Sequence, residues 1–378
     1  MLFRSNTIPD WFYRKIWRPK QLSGRQQQKS QGTTLVFLDG LGLGSYLCES
    51  LPESCIAVEM GSEYVRGEKV CRIDPTNPEH YMELVESVGE ISQILHLWTY
   101  DDEGVEIPNP EALQQTQERG IYSLLFLVQA LAKVRESNQG ELPLFWISSQ
   151  CQATDPAAEI APAKSTVLGL LKTIPQELPW LSTCHIDLLP DKVETNGQYI
   201  LEELKVLSKE PEVAYREGQR LVCRLQKADW QQEVRQELPF KEGGIYLLSG
   251  GLGGIGREIA KYLLENYRAK LLLVGRSPLN EKKSVYRQLE QLDGEIIYEA
   301  ADICNLEQLQ QVVAKALSRW GGELDGAIHL AGVGWEKLLL DETSDSLAAM
   351  LRPKVLGTWV LHQLVKNRPN SLFVSFSS

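Results

Sequence analysis

Between residues 249 and 256 the chain reads Ser249-Gly250-Gly251-Leu252-Gly253-Gly254-Ile255-Gly256, directly after the apolar run 244–248 and directly before a helical segment at 257–266. Five glycines in eight residues cannot extend a strand or begin a strong helix; they read as a tight turn. Gly251, Gly253 and Gly256 fall in the pattern G-x-G-x-x-G. A strand that turns through such a loop into a helix lets the backbone approach a pyrophosphate, whose charge rests on the helix N-terminus. Residues 249–256 are therefore the expected phosphate cradle of a dinucleotide.

Beyond residue 266 the same rhythm continues. Apolar strands are expected at 270–275, 295–300, 325–331 and 371–376, and helices at 283–291, 306–319 and 355–366. Strands alternating with helices of this length predict a parallel sheet covered on both faces. The first half repeats the order of parts: 34–40 resembles 244–250, 93–97 resembles 326–330, and 144–149 resembles 373–378. The fold class is thus α/β, two tandem Rossmann-like units with parallel sheets. The first turn, Asp39-Gly40-Leu41-Gly42-Leu43-Gly44, has its glycines at the wrong spacing, so the first unit is expected to be degenerate and structural. The polar stretch 227–243 places the boundary, giving residues 1–238 and 239–378. Residues 20–32 read as a flexible loop, and the alternating segment 11–17 as a strand that pairs with 217–225.

The charged fraction of 24% and hydrophobic fraction of 43% are those of a globular protein, and 378 residues suffice for two cores. No run reaches the length that spans a bilayer, and the start lacks a signal-peptide core, so a cytoplasmic location is expected. A net charge of −11 argues against nucleic acid as a main partner. The seven cysteines include no C-x-x-C pair, which predicts reduced thiols and no metal site.

The cofactor is read from the strand ends. An NAD site expects an acidic residue about twenty positions beyond the glycines, on the ribose. Here the strand ends Gly275-Arg276-Ser277, and an arginine suits a 2′-phosphate, so NADPH is the expected cofactor. Asp302, with Ile303 beside it, either meets the adenine edge or caps the helix starting at Leu306. Ala331 and Gly332 let the backbone pass close to the cofactor. His329 reads as a packed histidine rather than a base.

With these residues in place, 244–378 resembles the ketoreductase domain of modular type I polyketide synthases, within the short-chain dehydrogenase/reductase superfamily. The matching motifs are the Gly250–Gly256 loop, Gly275-Arg276-Ser277, His329-Leu330-Ala331-Gly332-Val333, Arg352-Pro353-Lys354-Val355 and Phe376-Ser377-Ser378. Residues from 10 to about 238 resemble that family's structural subdomain. The resemblance implies a catalytic Lys354 at a helix start and a catalytic Ser378, with Ser377 ranked second. It also implies a tyrosine as proton donor, expected beyond Ser378; the catalytic unit is then C-terminally incomplete, its last strand an open apolar edge, and the chain inactive alone. The implied activity is NADPH-dependent reduction of a β-ketoacyl thioester on an acyl carrier protein, among the other domains of a multienzyme. The alternatives are α-ketoacyl reduction in a nonribosomal peptide synthetase module and a non-catalytic nucleotide-binding module. Gly334-Trp335-Glu336 stands where the group giving one alcohol configuration carries Leu-Asp-Asp, a lean toward the A-type product; Trp335 itself reads as packing.

Overall fold

The computed structural model describes residues 12–26, 32–51, 54–135, 140–207, 209–228, 239–334 and 336–377. The chain divides into two compact units, Met1–Glu233 with Leu338–Asp341, and Val234–Lys337 with Glu342–Ser378.

The first unit is built on a ten-stranded sheet. Its parallel heart runs Val70–Ile73, Cys55–Met60, Thr33–Phe37, Ile91–Thr99, Leu142–Ser149, Leu181–Leu188, which is the order 3-2-1-4-5-6 along the chain. Every residue of Leu142–Ser149 is buried, as expected of a central parallel strand with helices on both faces. Beyond Leu181–Leu188 the sheet continues with Glu212–Arg216, then antiparallel Gln219–Lys227 and Tyr13–Pro19. Glu217 and Gly218 both have positive φ, the backbone a two-residue hairpin requires. The segment near the start pairs with the expected partner but two residues further along in both strands, with Tyr13 opposite Lys227 and Pro19 opposite Leu221; Trp11 lies outside the described residues. The stretch read as a loop from residue 20 is not wholly one: Arg25–Gln26 forms a short antiparallel ladder with Val206–Leu207. A two-residue strand carries no periodic signal by which it could be read.

The second unit has five parallel strands in the order Glu295–Ala300, Lys270–Gly275, Ile245–Ser249, Gly326–His329, Leu372–Ser375, or 3-2-1-4-5. Strand alternation sorts its core into two faces. Ile245 and Leu247 pack with Leu309, Val313 and Val360, whereas Tyr246 and Leu248 pack with Ala260, Leu263 and Leu264. The three segments that resemble one another in sequence occupy strand positions one, four and five of their respective sheets, so two Rossmann-like units follow one another.

Two helices differ from expectation. The helix after the glycines spans Gly254–Tyr267, starting three residues early, because glycines that a propensity scale rejects supply its first turn. A helix at Ser344–Lys354, capped by the Thr343 side chain on the Ser346 N–H, precedes the one at Leu356–Val365. Pro353 lies inside its last turn, so Lys354 ends one helix rather than starting the next.

Candidate functional site

The glycine loop owes its shape to steric limits. Gly250 has φ +73°, and a Cβ there would stand 3.0 Å from the Ala331 nitrogen. A Cβ on Gly256 would stand 2.4 Å from the Gly250 oxygen and 2.8 Å from Gly251 Cα. Only glycine permits this contact between helix and strand end. The Gly253 N–H closes the turn on the Gly250 carbonyl at 2.8 Å. The helix beginning at Gly254 has no side-chain cap, so its first-turn amides are left for an outside anion.

The degenerate unit meets the same need from within. Asp39 comes one residue beyond the strand Thr33–Phe37, after Leu38, and its carboxylate accepts the N–H groups of Leu41 at 2.8 Å, Leu43 at 3.1 Å and Gly44 at 2.5 Å. A fixed negative charge thus fills the anion position at the start of the helix Leu43–Ser50. At the ends of strands four and five, the buried Lys164 bonds Asp101 Oδ1 at 2.6 Å and Ser149 Oγ at 2.7 Å.

In the second unit a cleft of about 390 Å³ lies at the carboxyl ends of the strands, where open α/β sheets bind ligands. Of the residues expected to hold a cofactor, Gly250, Leu252, Gly253, Arg276, Ser277, Asp302, Ile303, Ala331 and Gly332 line it. Ser249, Gly251 and Gly256 are buried, and Gly254 and Ile255 are exposed at the helix start. Arg276, Lys282 and Arg352 also bring three cations to the lining, against Asp302 as its one acid. Arg276 and Lys282 are exposed, whereas Arg352 pairs with Asp302 at 2.8 Å. Burial works to raise the Asp302 carboxyl, but Arg352 and the Cys304 N–H, 3.0 Å away, outweigh it and hold the group below its ordinary value. Asp302 does not cap the helix Leu306–Trp320: Asn305 does, accepting the Gln308 N–H at 2.9 Å. Lys282 carried no sequence signal for the cleft; Arg352 stands in the motif Arg352-Pro353-Lys354-Val355 without an assigned role, and fifty residues separate it from its partner.

Lys354 stands over Gly332. A Cβ on that glycine would come within 2.7 Å of the lysine Cε, and the amine donates to the Phe376 carbonyl at 2.7 Å. Burial lowers the Lys354 pKa. Tyr298 is the one tyrosine among the described residues lining the cleft, and its hydroxyl donates to the Ser277 carbonyl, at the Arg276 end. His329 is fully buried, as a packed histidine would be. Ser378 and Trp335 lie outside the described residues. Ser377 is described and exposed.

Comparison with known proteins places this geometry. Residues 244–378 match the family described as the KR domain, and residues 32–205 match "Beta-ketoacyl synthase-like, N-terminal". Among curated relatives, the polyketide synthase PksN of Bacillus subtilis (strain 168) is 34% identical over 223 residues, 57% of this chain and 4% of that protein. The PKS-NRPS hybrid synthetase acdB of Aspergillus candidus is 30% identical over 263 residues, covering 67% and 10%. The chain therefore spans 4% and 10% of the length of these multidomain relatives. Among solved structures, the adenylation, ketoreductase and pseudo Asub multidomain structure of a keto acid-selecting NRPS module overlays with TM-score 0.88 at 28% identity, covering 96% of this chain and 31% of that one. An N-terminal ketoreductase from the macrolactin assembly line gives 0.81 at 23%, covering 97% and 74%, a likeness of fold.

Proposed function

We propose, for a chain that belongs through residues 244–378 to the KR family of polyketide synthases, that its cleft binds NADPH and serves reduction of a β-ketoacyl thioester carried on an acyl carrier protein. The observation that carries this reading is the pairing of an uncapped glycine-rich helix start with an arginine at the end of the second strand. A pyrophosphate fits the first, since the backbone there is held open by positions where any Cβ would collide. A 2′-phosphate fits the second, beside Arg276, Ser277 and Lys282. Ala331 and Gly332 supply backbone in place of bulk where the nicotinamide end would pass.

When bound, NADPH supplies the hydride. The chain's own residues then have distinct tasks. The glycine loop and Arg276 bind and orient. Lys354 keeps an amine of lowered pKa beside Gly332, where it favours loss of a proton from a neighbouring hydroxyl. Ser378 is assigned to the substrate oxygen. Tyr298, the one tyrosine in the described lining, has its hydroxyl committed to the Ser277 carbonyl and is not assigned the proton. The chain is accordingly expected to hold the cofactor in the cytoplasm, among the other domains of a multienzyme.

A second reading, α-ketoacyl reduction in a nonribosomal peptide synthetase, is favoured by the 0.88 overlay on a ketoreductase from a keto acid-selecting module. Oxidation of NADPH by the parent polypeptide, offered β-ketoacyl and α-ketoacyl pantetheine thioesters in turn, separates the two. Turnover of neither by a folded, NADPH-binding protein would reduce the cleft to a binding module.

A further inference from the structure

His329 closes the fourth strand of the second unit with both ring nitrogens engaged, each by a different element. Nε2 lies 2.9 Å from the Pro353 carbonyl and Nδ1 2.6 Å from Ser249 Oγ. A carbonyl only accepts, so Nε2 carries the hydrogen and Nδ1 accepts the Ser249 hydroxyl. Ser249 Oγ in turn accepts the N–H groups of Leu330 at 3.2 Å and Ala331 at 3.3 Å. One side of this chain of bonds thus ends beside Gly250 and on Ala331, both in the cleft wall. The other ends on the residue before Lys354, at the break between the helices Ser344–Lys354 and Leu356–Val365.

The degenerate unit supplies an internal comparison. Its fourth strand has His96 at the corresponding place, and His96 Nε2 also reaches a helix, at Ser123 Oγ, 2.8 Å away. The residue opposite His96 on the first strand is Phe37, which stacks on the imidazole at 4.4 Å. In the second unit the residue opposite His329 is Ser249. His96 Nδ1 consequently has no hydrogen-bond partner among the described residues. A histidine tied to a helix is common to both units; the second tie, to the strand that bears the glycine loop, occurs only where the cleft is.

We infer that His329 is a positioning residue: its neutral imidazole fastens the helix break that carries Lys354 to the turn that carries the glycine loop, and thereby sets where the Lys354 amine stands. The inference rests on the reading of Lys354 as the amine of the active cleft. Burial supports the neutral form, taking the His329 pKa down to about 4, and Lys354 is the charged group whose field adds to that lowering. A residue that only filled the core would leave the Lys354 amine's environment unchanged.

The two roles are separated by the pH dependence of Lys354 acylation with acetic anhydride, followed by peptide mass spectrometry on the whole 378-residue chain. The midpoint of that profile reports the amine's environment, which a merely structural residue would not move. In the parent chain the midpoint is expected below that of an ordinary lysine. His329→Leu should raise it toward that of an ordinary lysine as the amine reaches solvent, leaving less free amine at neutral pH. Ser249→Ala should raise it part of the way. His329→Gln, whose amide can still donate to Pro353, should restore it. A folded His329→Leu variant with an unchanged Lys354 midpoint overturns the inference. Should His329→Leu fail to fold, an unchanged midpoint in Ser249→Ala overturns it equally. NADPH affinity of the parent chain, measured alongside, tests the cofactor reading separately; its failure would leave the Lys354 profile to stand or fall alone.

Discussion

Gly256→Ala and Gly254→Ala add the same methyl two residues apart and should have opposite outcomes. At Gly256 the new carbon would lie 2.4 Å from the Gly250 oxygen and 2.8 Å from Gly251 Cα, both backbone atoms. Ordinary contact begins near 3.4 Å, so loop and helix must part by about 1 Å. Overpacking of this kind costs about 1–3 kcal/mol, taken from the second unit. The groups displaced are the amides of the phosphate cradle, so NADPH affinity should fall beyond what the stability loss alone implies. At Gly254 nothing lies within 4 Å of the added carbon, and the position is helical. Alanine there should gain up to about 1 kcal/mol of helix propensity. Differential scanning calorimetry reads the stabilities, with each unit's transition followed separately because two units need not unfold together. Isothermal titration with NADPH reads the affinities. If Gly256→Ala melts with the parent protein and binds NADPH as tightly, close helix–strand packing is not why that glycine is there.

Arg276→Ala should weaken NADPH binding roughly tenfold while leaving NADH within about twofold, since one exposed charge-assisted bond to the 2′-phosphate is lost; equal losses for both cofactors would refute its assignment. Asp39→Ala should lower the stability of the first unit by about 1–2 kcal/mol through loss of three amide partners at a helix start, with NADPH affinity unchanged; a change in affinity would contradict that separation. His329 has a folded-state pKa of about 4 against an ordinary 6.5. A group depressed in this way stabilises above the unfolded value and loses that contribution as pH falls toward the folded one. The second unit should therefore lose stability between about pH 6.5 and 4, by no more than about 3.5 kcal/mol before solvent screening, and His329→Gln should flatten that part of the profile in urea titrations.

Much of the second unit was legible because its signals are local. Apolar runs mark the strands 270–275 and 295–300 to the residue, and the glycines announce their turn through spacing alone. The pairing of the strand near the start with Gln219–Lys227 was legible from alternation in the first segment, with each strand lying two residues further along than the reading of 11–17 and 217–225. What stayed hidden depends on partners far apart in sequence or on a misleading local signal. Lys354 reads as a helix start, and the helix Ser344–Lys354 that runs through Pro353 to it does not read from the sequence at all. Asp302 and Asn305 are both good caps three residues apart, and only the backbone geometry chooses Asn305. The Asp302–Arg352 pair and the Ser249–His329 bond join residues 50 and 80 positions apart, distances over which no periodicity runs. Asp39 comes after its strand as Ser249 comes after its own run of apolar residues, yet one side chain turns into the helix start and the other toward a histidine.

The cofactor claim is met most directly by isothermal titration of the 378-residue chain with NADPH and, separately, with NADH. The account predicts one NADPH per chain, bound at least about tenfold more tightly than NADH, the margin a single charge-assisted contact supplies. Absence of NADPH binding by a folded chain, or tighter binding of NADH, would contradict it.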